Sequence, residues 1–486
     1  MNEHRITLLG SHDKILKEWL TTHPDGHERG AIVLFRRISR KVDGLPKSDR
    51  FLSVEIIRME GDWIIDSTLN QFTINMKKFP DLYFRCENEN LELGFVHNHP
   101  DGNFYFSEKD DINEKNILHG LSGCNSPGSY LISLILCNNI WIGRIRQGIN
   151  PEIILGIRHI SVLNESLDLY GIKMPDELPI SLKRQEKAFG KPFNTKLQSL
   201  RVAIIGLGGT GSPIANLLAR TGVGELILID GDLLVESNLN RVSGFSKCDI
   251  GLNKANIVMR YIKCLGLKNK VVAIPNYINE SAEALDALST ADIIFGCTDD
   301  VAGRDLLNQA LYYYSQVYID VGLSGNVDKD QDGNPYLRTQ KGRVSCILPE
   351  YGSCLRCQNV INDQMLSDEQ KLKDNPELAD LDPEILKKHY YIFGANVQSP
   401  GIGAFTRGTA NNAVATFMNL ISNYRDLPSD LRQDNIWIDF IHLNIHSNTP
   451  RDIPECIYCK EHLLLKQGEG KYRLGTPQYG KKPIDD

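Results

Sequence analysis

Short β-branched apolar runs alternate along this chain with polar stretches, and their spacing predicts its elements. In the first third, AIVLFRRIS, FLSVEIIRM, LELGFVHNH, YLISLILC and IWIGRI each predict a strand, with a helix near Asp13 to Thr22. An α+β fold over residues 1–163 follows. From Arg201 to Asp232 the rhythm changes. The run Val202 to Ile205 meets Gly206, Gly208, Gly209 and Gly211, continues into the helix-like SPIANLLAR, and returns through Gly222 and Gly224 to LILID. That is a βαβ unit with a glycine-rich turn, and it predicts an α/β, Rossmann-like second half. Further strands are expected in ADIIFGCTDD and RVSCILP, and a helix follows the small residues of the stretch 397–421. Between the halves, residues 164–196 are charged and carry Pro175, Pro179 and Pro192, as in a linker with a short helix. The second half is expected to span 197–466, with a mobile Gly- and Lys-rich tail over 467–486.

Composition narrows the class. With 486 residues, 41% of them hydrophobic, the chain can build two or three domains with substantial cores. No run of about 18 apolar residues exists, and MNEHRITLLGSHDK lacks a signal-peptide pattern, so a cytoplasmic protein without a membrane partner is expected. The net charge of −7 argues against nucleic acid. Eleven cysteines in such a chain read as metal ligands and buried thiols rather than disulfides.

The glycine turn supplies backbone N–H groups that a phosphate can approach, since no Cβ intervenes. Asp232 ends the second strand, where an acid bonds a ribose in both NAD and adenosine nucleotides. Then the pattern leaves the dehydrogenase type. Asn238, Arg241 and Lys254 bring donors and positive charge toward the phosphates, and Asp299 and Asp300 offer oxygen ligands to Mg²⁺. Together they describe ATP bound for cleavage. An NAD oxidoreductase remains as a competing reading, one that would show no pyrophosphate release.

These residues closely resemble the ubiquitin-activating-enzyme superfamily that includes ThiF, MoeB and HesA. The likeness covers roughly 180 to 460, through Ser181, Arg184 and Gln185 of an SxxRQ segment, GLGGTG, IDGDLLVESNLNR, Lys254 and CTDD. The resemblance implies adenylation of the C-terminal Gly of a ubiquitin-like or sulfur-carrier protein. It implies that Asp232 binds ribose, that Asn238, Arg241 and Lys254 contact phosphates, and that Asp299 governs Mg²⁺. It also implies that Arg184 reaches the ATP of a second subunit, hence a homodimer. Val242 stands where the family often has Gln.

Cys354-x-x-Cys357 and Cys456-x-x-Cys459, about a hundred residues apart, suit a tetrahedral structural zinc with four thiolates. No cysteine lies between Gln358 and Glu455, where family members that charge their own thiol carry one. An external acceptor, a conjugating enzyme or a sulfur donor, is therefore expected. Asp328, Asp330 and Asp332 open like a calcium loop, but Pro335 and Thr339 spoil it and a hairpin turn is expected.

In the first half, His97 and His99 alternate along a strand end, so both imidazoles point to one side. With Asp110 they make a three-ligand set that leaves one zinc position open. The constellation His-x-His-Pro, with Ser107 and Asp110 eight and eleven residues beyond His99, resembles the JAMM (MPN-type) metallopeptidase family. That resemblance implies hydrolysis of peptide or isopeptide bonds after ubiquitin-like C-termini. It gives Glu28 the role of general base and Ser107 that of oxyanion donor, with Glu55 as a rival for the base. A bacterial fusion that both processes and adenylates a carrier would combine the two halves. Alternatives are sulfur-carrier activation for a metabolite or cofactor, and an inert JAMM platform that recruits partners.

Overall fold

The run AIVLF has no polar face because the strand it forms is covered on both sides. Ala31, Val33 and Phe35 pack with Leu16 and Leu20 in one cluster, while Ile32 and Leu34 pack with Phe79, Leu82, Ile117 and Leu121 in the other. The computed structural model describes residues 3–69, 72–381, 385–390, 401–451, 453–463 and 474.

The first half runs β1 (Glu3–Leu9), α1 (Gly10–Thr21), β2 (Gly30–Ile38), β3 (Arg50–Arg58), β4 (Ile64–Ser67) and β5 (Phe72–Ile74). It continues through α2 (Phe79–Glu89), β6 (Glu92–Asn98), α3 (Glu108–Cys124), β7 (Tyr130–Cys137), β8 (Ile140–Gln147), β9 (Gly156–Leu163) and β10 (Leu167–Tyr170). Eight of these strands form one mixed sheet in the order β10-β9-β1-β3-β2-β6-β7-β8, and β4 and β5 make a separate ribbon. The fold of this half is α+β, with α1 on one face of the sheet and α2 and α3 on the other.

The second half begins with α4 (Lys183–Ser199), β11 (Arg201–Ile205), α5 (Gly211–Thr221), β12 (Glu225–Ile229), α6 (Lys254–Cys264) and β13 (Lys270–Ile274). Next come α7 (Ala282–Ser289), β14 (Ile293–Gly296), α8 (Val301–Tyr313), β15 (Val317–Lys329), β16 (Pro335–Ile347) and α9 (Asp363–Asp374). The last are α10 (Gly403–Ser422), β17 (Ile436–Asp439) and β18 (Asn444–Ser447). Strands β13-β12-β11-β14-β15 are all parallel, and β16, β17 and β18 extend the sheet antiparallel. Chain order reverses between β11 and β14. In an open α/β sheet the crevice beyond the carboxyl ends of two such strands is where ligands bind.

The stretch 164–196 is more than a linker. Leu167 and Leu169 are buried on β10, which pairs antiparallel with β9, and a strand of four residues gave too short a signal to read. Helix α4 is kinked at Gly190, whose φ of +80° only glycine adopts freely. Its second part buries Phe193 and Leu197 in the second core. The tail expected over 467–486 lies outside the described residues apart from the buried Leu474, and so do residues 397–400 of the stretch before α10.

The halves meet at the amino edge of the second sheet. Asp292, just before β14, accepts from Arg5 at 2.9 Å and from the Arg201 backbone N–H at 2.8 Å, and burial strips solvent from all three. Arg50 donates to the carbonyls of Ser289 and Ser315 at 3.0 and 3.2 Å, and Arg158 pairs with Glu225. Glu350 reaches back to the start of α1, taking the Ser11 backbone N–H at 2.8 Å and its hydroxyl at 2.5 Å. A carboxylate there complements the positive end of the helix dipole.

Candidate functional site

The glycine turn at the carboxyl end of β11 is shaped by contacts that admit no side chain. A Cβ on Gly206, whose φ is +84°, would sit 2.7 Å from the Cys297 carbonyl oxygen, and one on Gly211 would sit 1.8 Å from the Gly206 carbonyl oxygen. These two glycines let β11, β14 and α5 close together. Gly208 differs, because a Cβ there would project into open space, the side from which a phosphate approaches. Over Gly209 lies Arg241, its Cδ 3.1 Å from where a Cβ would stand.

Around the turn, charges are balanced internally. Lys254 Nζ donates to Asp232 Oδ2 at 2.7 Å, and the Tyr277 hydroxyl donates to Asp232 Oδ1 at 2.6 Å. Burial works against ionised Asp232, but Lys254 and Tyr277 outweigh it and lower its pKa. Arg241 donates to the Ser237 carbonyl at 3.0 Å, and the buried Asn238 keeps its Oδ1 without a hydrogen-bond partner. A ribose-and-phosphate ligand fits this set, which pairs an orphaned amide oxygen with two cations and an uncrowded backbone. Asp230, to which the sequence assigned nothing, takes the backbone N–H groups of Leu207 and Asp232 and so ties the turn to β12. Neither Asp230 nor Tyr277 had a sequence signal beyond an acid at a strand end and a lone aromatic.

Of the two acids after β14, only Asp299 is left to face a metal, and it is exposed. Asp300 caps α8, accepting from the Gly303 N–H at 2.6 Å and from the Thr298 hydroxyl, which removes it from the expected Mg²⁺ pair. Val242 is buried with Leu234 and Ile257, so its departure from Gln fills a small apolar cluster. Arg184 is exposed on α4, while Gln185 beside it donates to the Thr221 carbonyl at the far end of α5. That places Arg184 roughly 16 Å from its own chain's glycine turn, the length of an eleven-residue helix. A cavity of about 750 Å³ opens at the amino edge of the sheet, lined by Arg158, Lys173, Arg220 and Lys270. It holds none of the nucleotide residues.

The four cysteines converge. Cys354 Sγ lies 3.6 Å from Cys456 Sγ, and Cys357 Sγ lies 3.5 Å from Cys459 Sγ. A tetrahedral zinc with Zn–S bonds near 2.3 Å spaces its sulfurs about 3.8 Å apart, so this cluster fits one. The hairpin β15–β16 turns at Asp330, whose carboxylate accepts the Asp332 and Asn334 N–H groups rather than forming a cation loop.

In the first half, His97 and His99 sit at the carboxyl end of β6 and Asp110 in the first turn of α3. Nε2 of His97 is 3.1 Å from Nε2 of His99 and 3.0 Å from Asp110 Oδ1. Nδ1 of His99 donates to the Asn103 carbonyl at 2.9 Å, leaving Nε2 as the ligand atom. Two imidazole nitrogens on one zinc stand about 3.3 Å apart, so the set fits that ion. Ser107 is the N-cap of α3 in a capping box, and its hydroxyl donates to Asp110 Oδ2 at 2.8 Å. Helix α3 is anchored in turn by the buried Glu114, which takes Arg144 at 3.0 Å and Arg146 at 2.9 Å.

Glu28 precedes β2, and its backbone is strapped by the Thr68 carbonyl at 2.8 Å and the Ser67 hydroxyl at 2.7 Å. Burial pushes its carboxyl up to about 7, against the lowering pull of His97 and His99. Glu55, the rival for the base, pairs with Arg85 at 3.1 Å. A third group, His23, Asp25 and His27, lies on the loop before Glu28. Nδ1 of His23 accepts the Asp25 N–H at 3.1 Å, whereas a metal-ligating histidine normally donates through its second nitrogen.

Among the described residues, no helix is long and apolar enough to cross a membrane. The chain is 39% identical over 113 residues to the adenylyltransferase and sulfurtransferase uba4 of Aspergillus niger, a stretch covering 23% of each chain. It is also 39% identical over 116 residues to the sulfur carrier protein ThiS adenylyltransferase of Escherichia coli, covering 24% of this chain and 45% of that one. The matched stretch thus spans less than half the length of either relative. Among solved structures, E. coli MccB with ATP aligns at a TM-score of 0.42 and 22% identity over 59% of this chain and 76% of that one. The model of the ThiF family matches residues 182–452, more than half of the 486 residues, and the chain belongs to the ThiF family.

Proposed function

We propose that the second half adenylates the C-terminal carboxylate of a small ubiquitin-like or sulfur-carrier protein, using ATP and Mg²⁺. The observation that carries this reading is the open approach at Gly208, flanked by Arg241, Lys254 and Asp232 at the switch point between β11 and β14. The carrier's terminal carboxylate attacks the α-phosphate and pyrophosphate leaves. Anion meets anion in that step, so cations positioned beforehand lower its barrier. Asp232 exchanges Lys254 for the ribose hydroxyls, and Lys254 then faces the phosphates together with Arg241 and Asn238. Asp299 holds Mg²⁺ through oxygen, as that ion prefers. Pyrophosphate release that requires both ATP and a carrier with a free terminal Gly would support this. Nicotinamide binding without release would refute it.

For the fate of the adenylate, the sulfur-carrier outcome has the stronger support, because the relatives named above are an adenylyltransferase and sulfurtransferase and a sulfur carrier protein adenylyltransferase. The lack of a cysteine between Gln358 and Glu455 agrees with an external acceptor. Supplying a sulfur donor should yield a carrier thiocarboxylate. A conjugating enzyme that takes the carrier as a thioester would instead point to protein modification. The distance of Arg184 from its own glycine turn supports its action on the ATP of a second subunit, in a homodimer. Mixing Arg184→Ala and Lys254→Ala chains should then restore part of the activity that each lacks alone. Four thiolates on a structural zinc suit a cytoplasmic location.

The first half supports a second reading, a JAMM-type metallopeptidase acting on the same kind of tail. The convergence of His97, His99, Asp110 and Glu28 favours it. A zinc held by the three ligands would supply Lewis acidity and lower the pKa of a bound water toward about 7. In this reading Glu28 takes a proton from the attacking water and passes it to the leaving amine. Ser107 orients Asp110, and it serves the oxyanion only after its hydroxyl turns from that carboxylate. Cleavage of a carrier fusion after its Gly, lost in His97→Ala and Glu28→Gln, would support the reading. An intact fusion despite stoichiometric zinc would favour the inert platform.

A further inference from the structure

We infer that Glu369, on α9, is a positioning residue for Asp299, the acid assigned to Mg²⁺. This deepens the adenylation reading above and rests on it. Helix α8 opens directly after Asp299 and Asp300, and a helix start leaves its first backbone N–H groups without partners inside the helix. Asp300 satisfies the third of them, that of Gly303. Glu369 takes the first two: its Oε1 accepts the Val301 N–H and its Oε2 the Ala302 N–H, both at 2.9 Å. A carboxylate there also meets the positive end of the α8 dipole.

What Glu369 removes is a competitor for the ion. An aspartate readily accepts the backbone N–H two residues ahead of it, closing an Asx turn. For Asp299 that N–H belongs to Val301. Glu369 already fills it, so Asp299 is not drawn into the turn and stays exposed. Its neighbour Asp300 shows the other fate, a carboxylate spent on the helix. Glu369 is in turn held from the four-cysteine cluster. Arg356, between Cys354 and Cys357, donates to Asp305 on α8 at 3.0 Å and to Asp363 at the start of α9 at 2.7 Å. The Leu355 N–H donates to Asn308 on α8 at 3.0 Å. From Asp363, six residues of α9, about 9 Å of helix, bring Glu369 to the first turn of α8.

The probe is Mn²⁺ in place of Mg²⁺, titrated into the full chain, in excess over a non-hydrolysable ATP analogue, and followed by electron paramagnetic resonance. In Glu369→Ala the bare Val301 N–H competes for Asp299, so Mn²⁺ should bind about tenfold more weakly, the equivalent of one hydrogen bond to a carboxylate. Val301→Pro removes that N–H, and proline suits the first position of a helix behind an extended residue such as Asp300, with φ −75° and ψ 143°. Adding Val301→Pro to Glu369→Ala should therefore restore most of the Mn²⁺ binding. Glu369→Gln, which bares one N–H group and keeps the bulk of the side chain, should show a smaller loss with the same rescue, and it decides the matter if the alanine variant fails to fold. Unchanged Mn²⁺ binding in the Glu369 variants, or a loss that proline does not rescue, would overturn the inference. Asp299→Asn separates the two failures. A loss of Mn²⁺ there, beside none in the Glu369 variants, removes only the role of Glu369, whereas no loss there takes Asp299 away from the metal and the inference with it.

Discussion

The histidine pocket and the glycine crevice prepare for their ligands in different ways. In the first, each ligand has a second contact that fixes its direction, apart from Nδ1 of His97. His99 leans on Asn103, Asp110 on Ser107, and α3 on the Arg144–Glu114–Arg146 cluster. In the second, the key groups hold each other. Lys254 sits on Asp232, Asp299 faces solvent, and Arg184 is a helix length away. Outer contacts that orient the ligands strengthen the hold of a metal site on its ion. A nucleotide brings four charges of its own and can displace a provisional ion pair.

The largest effect that would break this contrast is His97→Ala. Fusion cleavage should fall by more than about 10³-fold and one zinc should be lost by elemental analysis, because one ligand of three is gone. Pyrophosphate release should stay at the wild-type rate. If release collapses too, the two pockets are not independent.

Next comes the joint between them. Asp292→Ala leaves Arg5, Arg50 and His159 buried with no carboxylate, and should cost about 3–5 kcal/mol by thermal unfolding. Arg5 and its neighbours hold the Asp292 carboxyl well below its ordinary 3.8 despite burial, so its contribution is present above that value and is lost as pH falls through the lower folded one. The gap between wild type and variant should therefore narrow on acidification below about pH 4. A gap that widened would mean that Asp292 is protonated in the fold.

Lys254→Ala should slow pyrophosphate release by about 10²–10³-fold, the usual cost of one preorganised group, with fusion cleavage unchanged. A change confined to KM for ATP would mean ground-state binding only. The smallest effect is Ser107→Ala. Loss of the cap should cost about 1 kcal/mol of stability and weaken zinc retention, while the crevice is untouched.

How much of this was legible beforehand depends on how local the signal is. The glycine turn could be read because Gly206 and Gly211 meet steric demands within one βαβ unit, and the His-x-His step because strand alternation puts both rings on one side. The four cysteines could be paired since spacing alone marks them. Strand β1, with Arg5 buried in its middle, could not be read as a core strand, because the partner that allows an arginine there is Asp292, almost three hundred residues away. The same holds for Asp300, whose capping role depends on where α8 starts, and for Tyr277, which reaches Asp232 only through the fold. The chain-long ion network between the halves left no trace in composition.

One experiment reaches the central claim directly: the purified chain, ATP, Mg²⁺ and a carrier precursor with residues beyond its terminal Gly, followed by intact mass. The expected result is loss of the extension followed by gain of one AMP on the trimmed carrier, with pyrophosphate released in step. A precursor that keeps its extension, together with a mature carrier that gains no AMP, would contradict it.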